Sequence, residues 1–194
     1  MKLLGLTGGV GMGKSTAAGF LLSLGARVVD TDELARELVQ PGLPALAEIR
    51  REFGGEMIRS DGSLDRAALA EKVFADESAR KQLENILHPR IRECWLAQIE
   101  TWRREKWPLA VVVIPLLFET QAENQFDEII CLACSPSSQR ERLLARGWTD
   151  DQIRRRLAAQ LPVAQKIARS QFVVWSEGQP AVHRRQLAQI LEKP

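Results

Sequence analysis

Residues 2–20 read KLLGLTGGVGMGKSTAAGF, an apolar stretch followed by glycines and then by a segment with helical spacing. The stretch KLLGLT (2–7) predicts a short buried strand, and the run from Lys14 to Leu24 places its apolar residues on one face of a helix. Glycine disfavours helix because it loses the most backbone freedom on ordering. A glycine cluster between a strand and a helix therefore indicates a loop with a special backbone conformation.

The glycine cluster contains a phosphate-binding motif. Gly8, Gly13, Lys14 and Ser15 match G-x-x-x-x-G-K-[ST], and the motif requires a strand before it and a helix after it. Glycines let backbone N–H groups approach a phosphate, and the helix adds the positive end of its dipole. The lysine can reach the β- and γ-phosphates, and the serine hydroxyl can hold Mg²⁺. The stretch predicts a nucleoside triphosphate site; the alternative is a glycine turn with a surface lysine.

Composition and charge limit the possible partners. The chain has 194 residues, 45% of them hydrophobic, which is enough for one domain with a smaller inserted part. Its 27 Lys and Arg residues and 25 Asp and Glu residues leave a net charge of +2. This balance gives no general reason to expect nucleic acid or a membrane surface as a partner. No apolar stretch reaches about 18 residues, so we expect a cytoplasmic protein.

The cysteines favour the same compartment. Cys94, Cys131 and Cys134 are an odd number and too few for a disulfide framework, which suits a reducing environment. Cys131 and Cys134 form a C-x-x-C that could serve as a redox pair or as half of a zinc site. A second C-x-x-C is missing, and His88 and His183 are isolated, so four metal ligands are hard to assemble. We expect the pair to be buried at the end of an apolar strand.

Strand and helix patterns alternate along the rest of the chain. Further strands are predicted at 26–30, 108–118, 126–134 and 170–175, and helices at 135–147, 150–169 and 179–192. Residues 31–106 show helical periodicity and no evident strand, and 78–106 predicts one or two long helices. Strands separated by helices indicate βαβ units, so we expect an α/β fold with a parallel sheet covered by helices on both faces.

Three classes of protein fit a nucleoside triphosphate site. They are a small-molecule kinase, a switch or motor nucleotidase, and a nucleotide-sensing module without chemistry. A chain of 194 residues leaves little room for the extra parts of a motor, and its sequence has no N-K-x-D guanine-reading motif. These features favour the kinase.

A kinase needs a group that deprotonates or orients the accepting hydroxyl. The stretch VVDTDELA (28–35) closes the second strand and places Asp30 and Asp32 at the carboxyl edge of the sheet, where ligands bind in open α/β sheets. Asp32 is our candidate base. The alternative is that Asp32 only caps a helix that begins near Glu33.

A kinase also needs positive charge around the transferred phosphoryl group. Residues 140–169 carry eight basic and three acidic side chains and predict a lid, although we expect most of the basic ones on solvated helix faces. Arg142 and Arg146 are spaced four apart, so on a helix both can face one phosphate.

The sequence resembles the dephospho-coenzyme A kinases over nearly its whole length. The matching motifs are GLTGGVGMGKST (5–16), VVDTDELARELVQPG (28–42), NILHPRIR (85–92), IPLLFE (114–119), SPSSQRERLLARG (135–147) and RLAAQLP (156–162). The resemblance implies transfer of the ATP γ-phosphate to the ribose 3'-hydroxyl of dephospho-coenzyme A, the last step of coenzyme A synthesis. It implies a P-loop fold in three parts: a nucleotide-binding core (about 1–32, 107–140 and 170–194), a helical acceptor-binding part (33–106) and a lid (141–169).

The resemblance also implies roles for individual residues. The ATP-binding loop corresponds to Gly11, Met12, Gly13, Lys14, Ser15 and Thr16. Asp32 matches the general base, Lys14 the phosphate-binding lysine and Arg142 the lid arginine. The acceptor side corresponds to Thr7, Asp32 and His88. We expect His88 to be structural or to contact the acceptor rather than to transfer a proton, because phosphoryl transfer depends mainly on positioning and charge neutralisation.

Two departures from the family pattern concern the adenine pocket and the metal site. Residues 175–178 read WSEG where many relatives have Asp-Asn-Ser/Asn-Gly near the adenine pocket; Trp175 could stack on a base, but we favour a buried Trp at the strand end. Ile114 stands where some relatives carry Asp, so Mg²⁺ must depend on Ser15, phosphates, waters, and Asp30 or Asp32.

The alternatives to this function are a kinase of another nucleoside or metabolite and a non-catalytic nucleotide-responsive protein. The oligomeric state is not determined by the sequence.

Overall fold

A parallel sheet organises the computed structural model, which describes residues 1–192. Its strands in this part of the chain are β1 (Lys2–Gly8), β2 (Arg27–Asp30), β3 (Leu109–Val113), β4 (Glu128–Ala133) and β5 (Phe172–Trp175). Their order is β2-β3-β1-β4-β5, and every neighbouring pair is parallel. The predicted α/β fold is confirmed. Because β1 is central, the glycine loop that follows it lies at the middle of the carboxyl edge.

Helices separate consecutive strands except β3 and β4, and several of the helices carry start signals in the sequence. They are α1 (Lys14–Ser23), α2 (Thr31–Leu38), α3 (Pro44–Phe53), α4 (Arg66–Ala75), α5 (Glu77–Arg104), α6 (Pro136–Leu144), α7 (Asp150–Ala158), α8 (Val163–Ala168) and α9 (Pro180–Leu191), with 3-10 turns at Gly55–Met57 and Glu123–Gln125. Proline occupies the first turn of α3, α6 and α9, where its missing N–H costs nothing. Thr149 and Gln152 form a capping box at the start of α7.

The chain divides into two compact units, Thr31–Gln98 and the remainder, which holds the sheet. In the sheet unit, α1 and α9 cover one face of the strands. The core on that face includes Leu4, Leu6, Leu21, Val111, Ile130, Leu132, Val174 and Leu187. On the other face, Gly5 lets the segment after β3 approach closely, since a Cβ there would lie 2.7 Å from Leu117 Cδ1.

The unit Thr31–Gln98 is helical apart from an isolated antiparallel bridge between Ile58 and Leu64. Its own apolar core comprises Val39, Ala45, Leu46, Ile49, Phe53, Met57, Leu64, Leu69, Val73, Ala79 and Ile86. An ion pair between Arg90 Nη2 and Glu48 Oε2, 2.6 Å apart, ties α5 to α3. The helical periodicity of residues 31–106 thus corresponds to real helices with a separate core.

The long helical stretch forms one helix, α5, although Pro89 lies inside it. Proline removes the hydrogen bond to the carbonyl four residues earlier. Nearby, Arg90 Nη1 donates to the Ile86 carbonyl, which strengthens the helix at this point. Within residues 1–192, none of the helices combines the length and the apolar character that a membrane span requires.

The prediction of a single helix over residues 150–169 is wrong. Helix α7 ends at Ala158, and α8 begins only at Val163. Pro162 explains the break, because it lacks an N–H and disfavours helical backbone at the residue before it. The released Leu161 N–H donates to Glu119 Oε1 at 2.8 Å. This irregular connection matters for the glycine loop, as described below.

Strand β3 is shorter than the predicted 108–118 and ends at Val113. Pro115 cannot donate to a strand ladder. Its carbonyl instead accepts a hydrogen bond from Lys166 Nζ at 2.7 Å. Apolar residues beyond it, such as Leu117, are still fully buried. The apolar run therefore predicted burial correctly but overestimated the length of the strand.

The C-x-x-C cysteines lie at the end of β4 and are buried, as expected. Burial raises the pKa of the Cys131 thiol to about 11. It also raises the pKa of Cys134. Reactive thiols have lowered pKa values, so these two behave as small apolar side chains.

A pair of neighbouring leucines tests the packing of α1 on the sheet. Leu21 is 0% exposed and Leu22 is 54% exposed. Leu21→Ala should lower the free energy of unfolding by about 2–5 kcal/mol, because it leaves a cavity in the core. Leu22→Ala removes the same atoms from the surface and should change it by less than about 0.5 kcal/mol. Chemical denaturation followed by circular dichroism measures both; equal losses would contradict this packing.

Candidate active site

Glycines in unusual conformations shape the loop between β1 and α1. The φ angles are 142° at Gly8, 76° at Gly11 and 87° at Gly13. A Cβ added at Gly8 would lie 2.5 Å from the Leu132 carbonyl oxygen of the adjacent strand β4. Both the backbone angle and the lack of space therefore require glycine there. Gly13 directly precedes α1, so the bend leads straight into the helix.

The start of α1 brings positive charge to this loop. Lys14 Nζ donates to the carbonyl oxygens of Gly8 at 2.9 Å and Gly9 at 3.0 Å, which holds the ammonium group against the loop. Ser15 and Thr16 follow in the exposed first turn of the helix. The first N–H groups of a helix have no partners within it and carry the positive end of its dipole. This end of α1 is suited to bind an anion.

Two glutamines hold the middle of the loop. Val10 N–H donates to Gln160 Oε1 at 3.1 Å, and the Val10 carbonyl accepts from Gln139 Nε2 at 2.7 Å. Gln139 lies on α6, and Gln160 lies in the break between α7 and α8. Met12, further along, points into the core with 2% exposure, so only its backbone is available to a ligand.

Arg142 links the loop to the segment after β5. Its Nη1 donates to Ser176 Oγ at 3.0 Å and to the Gly11 carbonyl at 3.4 Å. Its Nη2 donates to the Ser176 carbonyl at 2.6 Å. The predicted lid arginine therefore lies beside the glycine loop, with its guanidinium oriented by three oxygen atoms.

A cleft of about 250 Å³ opens beside the loop. Its walls are formed by Gly11, Gly13, Thr16, Arg142, Arg146, Ser176, Gly178, Pro180 and His183. The expectation that both arginines share a helix is wrong, because α6 ends at Leu144 and Arg146 follows in a turn. The turn nevertheless brings Arg146 to the same cleft as Arg142. Both predicted arginines therefore line one cavity next to the start of α1.

The WSEG segment closes one side of this cleft, and its tryptophan is not buried. Trp175 is 45% exposed, which corrects the expectation of a buried Trp at the strand end. Its Nε1 donates to Glu177 Oε2 at 2.9 Å. Glu177 Oε1 accepts from the N–H of Ser135 at 2.7 Å and from its hydroxyl. Hydrogen bonds, first of all from the Ser135 side chain, lower the pKa of Glu177 to about 2. This carboxylate therefore anchors the segment to the start of α6.

His183, isolated in the sequence, lies in the wall of the cleft. It is 5% exposed, and its ring meets the Phe20 ring edge-on with centroids 5.4 Å apart. Burial lowers the pKa of His183, and the positive charge of Arg142 acts in the same direction. Both effects favour the uncharged imidazole.

Most basic residues of 140–169 are surface residues, but Lys166 is not. Its side chain is 0% exposed and its Nζ lies 2.8 Å from Glu119 Oε1. The same nitrogen donates to the Pro115 carbonyl, which also accepts from Thr7 Oγ1 at 3.3 Å. Thr7 is fully buried, so this arrangement supports the end of β3 and does not favour the predicted contact of Thr7 with an acceptor.

The remaining predicted residues follow β2 or lie on α5. Asp30 ends β2 opposite Val113, at the same sheet edge as the glycine loop. Asp32 lies in the exposed first turn of α2, which begins at Thr31. It is therefore inside the helix and not at the capping position before it. His88 belongs to the helical unit, and burial lowers its pKa against the opposing effect of Glu84.

Sequence reasoning missed four residues that surround the loop. They are Gln139, Gln160, Ser176 and His183. Gln139 and Gln160 stand in two of the motifs that match the family, and Ser176 stands in the segment that departs from it, but none of the three was predicted to contact the loop. Amide side chains and an isolated histidine have no motif of their own, because their partners come from distant parts of the chain.

Comparisons with known proteins identify the family of the chain. A family model described as dephospho-CoA kinase matches residues 2–181. A dephospho-CoA kinase from Anaeromyxobacter dehalogenans is 48% identical over 181 residues, which cover 93% of this chain and 86% of that protein. The crystal structure of TT1252 from Thermus thermophilus aligns with a TM-score of 0.82 at 33% identity, over 98% of this chain and 96% of that one.

A second solved structure is named as a dephospho-CoA kinase. The dephospho-CoA kinase from Campylobacter jejuni aligns with a TM-score of 0.71 at 26% identity, over 99% of this chain and 96% of that one. These findings confirm the resemblance drawn from the sequence motifs. The chain belongs to the dephospho-CoA kinase family.

Proposed function

We propose that the chain transfers the γ-phosphate of ATP to the ribose 3'-hydroxyl of dephospho-coenzyme A. Family membership supports the reaction class, ATP-dependent phosphorylation of dephospho-CoA in coenzyme A biosynthesis. The proposal rests on the glycine bend that follows the central strand, where Lys14 and Arg142 donate hydrogen bonds to backbone carbonyls of the bend. We further propose that this reaction takes place in the cytoplasm, which the free thiols of Cys131 and Cys134 support.

In this proposal the triphosphate lies on the bend and the start of α1. Backbone N–H groups of Gly11 to Thr16 bind the phosphate oxygens, and Lys14 exchanges its carbonyl partners for the β- and γ-phosphates. Arg142 and Arg146 add positive charge from the cleft wall. These cations stabilise the charge that spreads over the phosphoryl group in the transition state.

The acceptor side is assigned to residues of the helical part, about 33–106, together with Asp32. Asp32 accepts or orients the proton of the 3'-hydroxyl, and His88 contacts the acceptor or supports its site. The exposed position of Asp32 in a helical first turn supports a role towards a ligand. Residues 141–169 act as the lid that excludes water once both substrates are bound.

Mg²⁺ is the metal that we propose with ATP. Among residues 1–192, no group of three or more His, Cys, Asp or Glu side chains could hold a metal. This suits Mg²⁺, which often keeps waters and binds chiefly to substrate phosphates. Ser15 Oγ, in the first turn of α1, is the proposed protein ligand. The bound ion would neutralise phosphate charge and fix the orientation of the terminal phosphate.

An acceptor panel separates this function from its alternatives. The purified chain is incubated with ATP, Mg²⁺ and dephospho-coenzyme A, or with nucleosides and shikimate-like alcohols in its place. We expect phosphorylated product from dephospho-coenzyme A alone. Faster turnover of another alcohol would indicate a different kinase, and ATP binding without any phosphorylated product would indicate a nucleotide-responsive binding protein.

Removing the loop lysine should abolish most of the activity. Lys14→Ala should lower kcat/KM by about 10²–10³-fold, because the transition state loses a preorganised positive charge. The control is Lys81→Ala, which removes a surface lysine paired with Glu77. A steady-state assay at saturating dephospho-coenzyme A measures both. Near-normal turnover of Lys14→Ala at saturating ATP would remove Lys14 from the mechanism.

Asp32→Asn should lower kcat with little change in the Kd for ATP, since the carboxylate acts on the acceptor hydroxyl. Glu33→Gln is the matched control, because it removes a carboxylate from the same first turn of α2. Initial rates and calorimetric titration with ATP provide the two quantities. If both variants lose activity equally, the carboxylates act through the helix dipole and Asp32 is not the base.

A further inference from the structure

We infer that Gln139 and Gln160 are positioning residues that hold the two peptide groups flanking Val10 in the orientation needed for phosphate binding. The inference rests on the proposed function of the glycine bend as the ATP site. Neither glutamine belongs to the phosphate-binding motif itself. They contact the two peptide groups on either side of Val10 in that motif: Gln160 accepts from the N–H of the Gly9–Val10 group, and Gln139 donates to the carbonyl of the Val10–Gly11 group.

The two peptide groups flanking Val10 need external support because each of them adjoins a glycine. Gly9 and Gly11 allow the backbone to rotate through conformations that are closed to other residues. A rotated peptide group could turn a carbonyl oxygen towards the anion site, where it would repel a phosphate. In the structure Gln160 Oε1 opposes rotation of the Gly9–Val10 group at 3.1 Å, and Gln139 Nε2 opposes rotation of the Val10–Gly11 group at 2.7 Å.

The two amides have opposite, defined polarities. The Val10 N–H can only donate, so Gln160 must present its oxygen; the Val10 carbonyl can only accept, so Gln139 must present its NH₂ group. Gln139 is 7% exposed and packs against the loop, since a Cβ added at Gly9 would lie 3.1 Å from its Nε2. The two side chains are therefore not interchangeable.

Buried contacts keep Gln160 in place. The next residue, Leu161, donates its N–H to Glu119 Oε1 at 2.8 Å. The same oxygen lies 2.8 Å from Nζ of Lys166, which is fully buried. These contacts attach the connection between α7 and α8 to the segment after β3. Because Gln160 lies within the proposed lid segment, its contact ties that segment to the glycine loop.

Variants at position 160 test the inference through one hydrogen bond. Gln160→Met keeps the length of the side chain but removes the acceptor for the Val10 N–H. We expect the Kd for ATP to rise about 5- to 10-fold, on the scale of one lost hydrogen bond, and kcat to fall. The KM for dephospho-coenzyme A should not change. Gln165→Met, an exposed glutamine of α8, is the control and should match the wild type.

Gln160→Glu restores an acceptor oxygen and should recover most of the ATP affinity lost in Gln160→Met. The measurement is made at about 0.3 M salt, where the added charge is partly screened. Gln139→Glu adds the same charge but places an oxygen against the Val10 carbonyl. It should weaken ATP binding more than Gln160→Glu does. If Gln139→Glu does not fold, as judged by its thermal unfolding, the position 160 variants decide the question alone.

Calorimetric titration with ATP, with its stoichiometry, separates positioning from loss of fold. A variant that is only less stable would contain less folded protein. It would therefore bind fewer ATP molecules per chain and show a lower apparent kcat, with an unchanged Kd for ATP and an unchanged KM. That result, or equal ATP affinity in Gln160→Met and the wild type, would overturn the inference. Failure of the proposed function is distinct: the wild type would then form no product from dephospho-coenzyme A, whatever the variants show for ATP binding.

Discussion

The close approach of Gly8 to the backbone of β4 is the constraint on which the site depends. A side chain at Gly8 would collide with the Leu132 carbonyl oxygen, and its φ of 142° would be strained in other residues. With glycine there, the chain can leave the central strand in the tight bend that leads into α1. The bend brings the Lys14 ammonium and the start of the helix to one point at the carboxyl edge of the sheet.

Strand order then determines which side chains surround that point. Because β4 lies beside β1 and β5 lies beside β4, the segments that follow these two strands, with Gln139, Arg142 and Ser176, reach the bend. The break between α7 and α8 contributes Gln160 from a fourth segment. The contacts that hold the segment of Gln160 include the buried Lys166. The charge of Lys166 is balanced by an ion pair with Glu119, so it is not left unpaired in the interior.

The parts that local pattern predicted well are those in which neighbours in sequence are also neighbours in space. The glycine motif, the buried strands and the buried Cys131 belong to this group, because periodicity and backbone preference act over a few residues. Not every error had a distant cause. Trp175 lies on the same exposed side of the edge strand β5 as Val173, while Val174 is buried, and Arg146 reaches the cleft from a turn instead of a helix. Pro162 did signal the break that the helical period concealed.

By itself, the sequence determined that a phosphate-binding bend joins a buried strand to a helix, and its ordered motifs identified the family. It did so because backbone conformation at Gly8, Gly11 and Gly13 depends on the absence of a side chain, which is a local property. Only the tertiary structure decided what holds that bend in shape. Val10 accepts a hydrogen bond from Gln139, 129 positions away, and donates one to Gln160, 150 positions away; such pairings exist only once the sheet has brought their segments together.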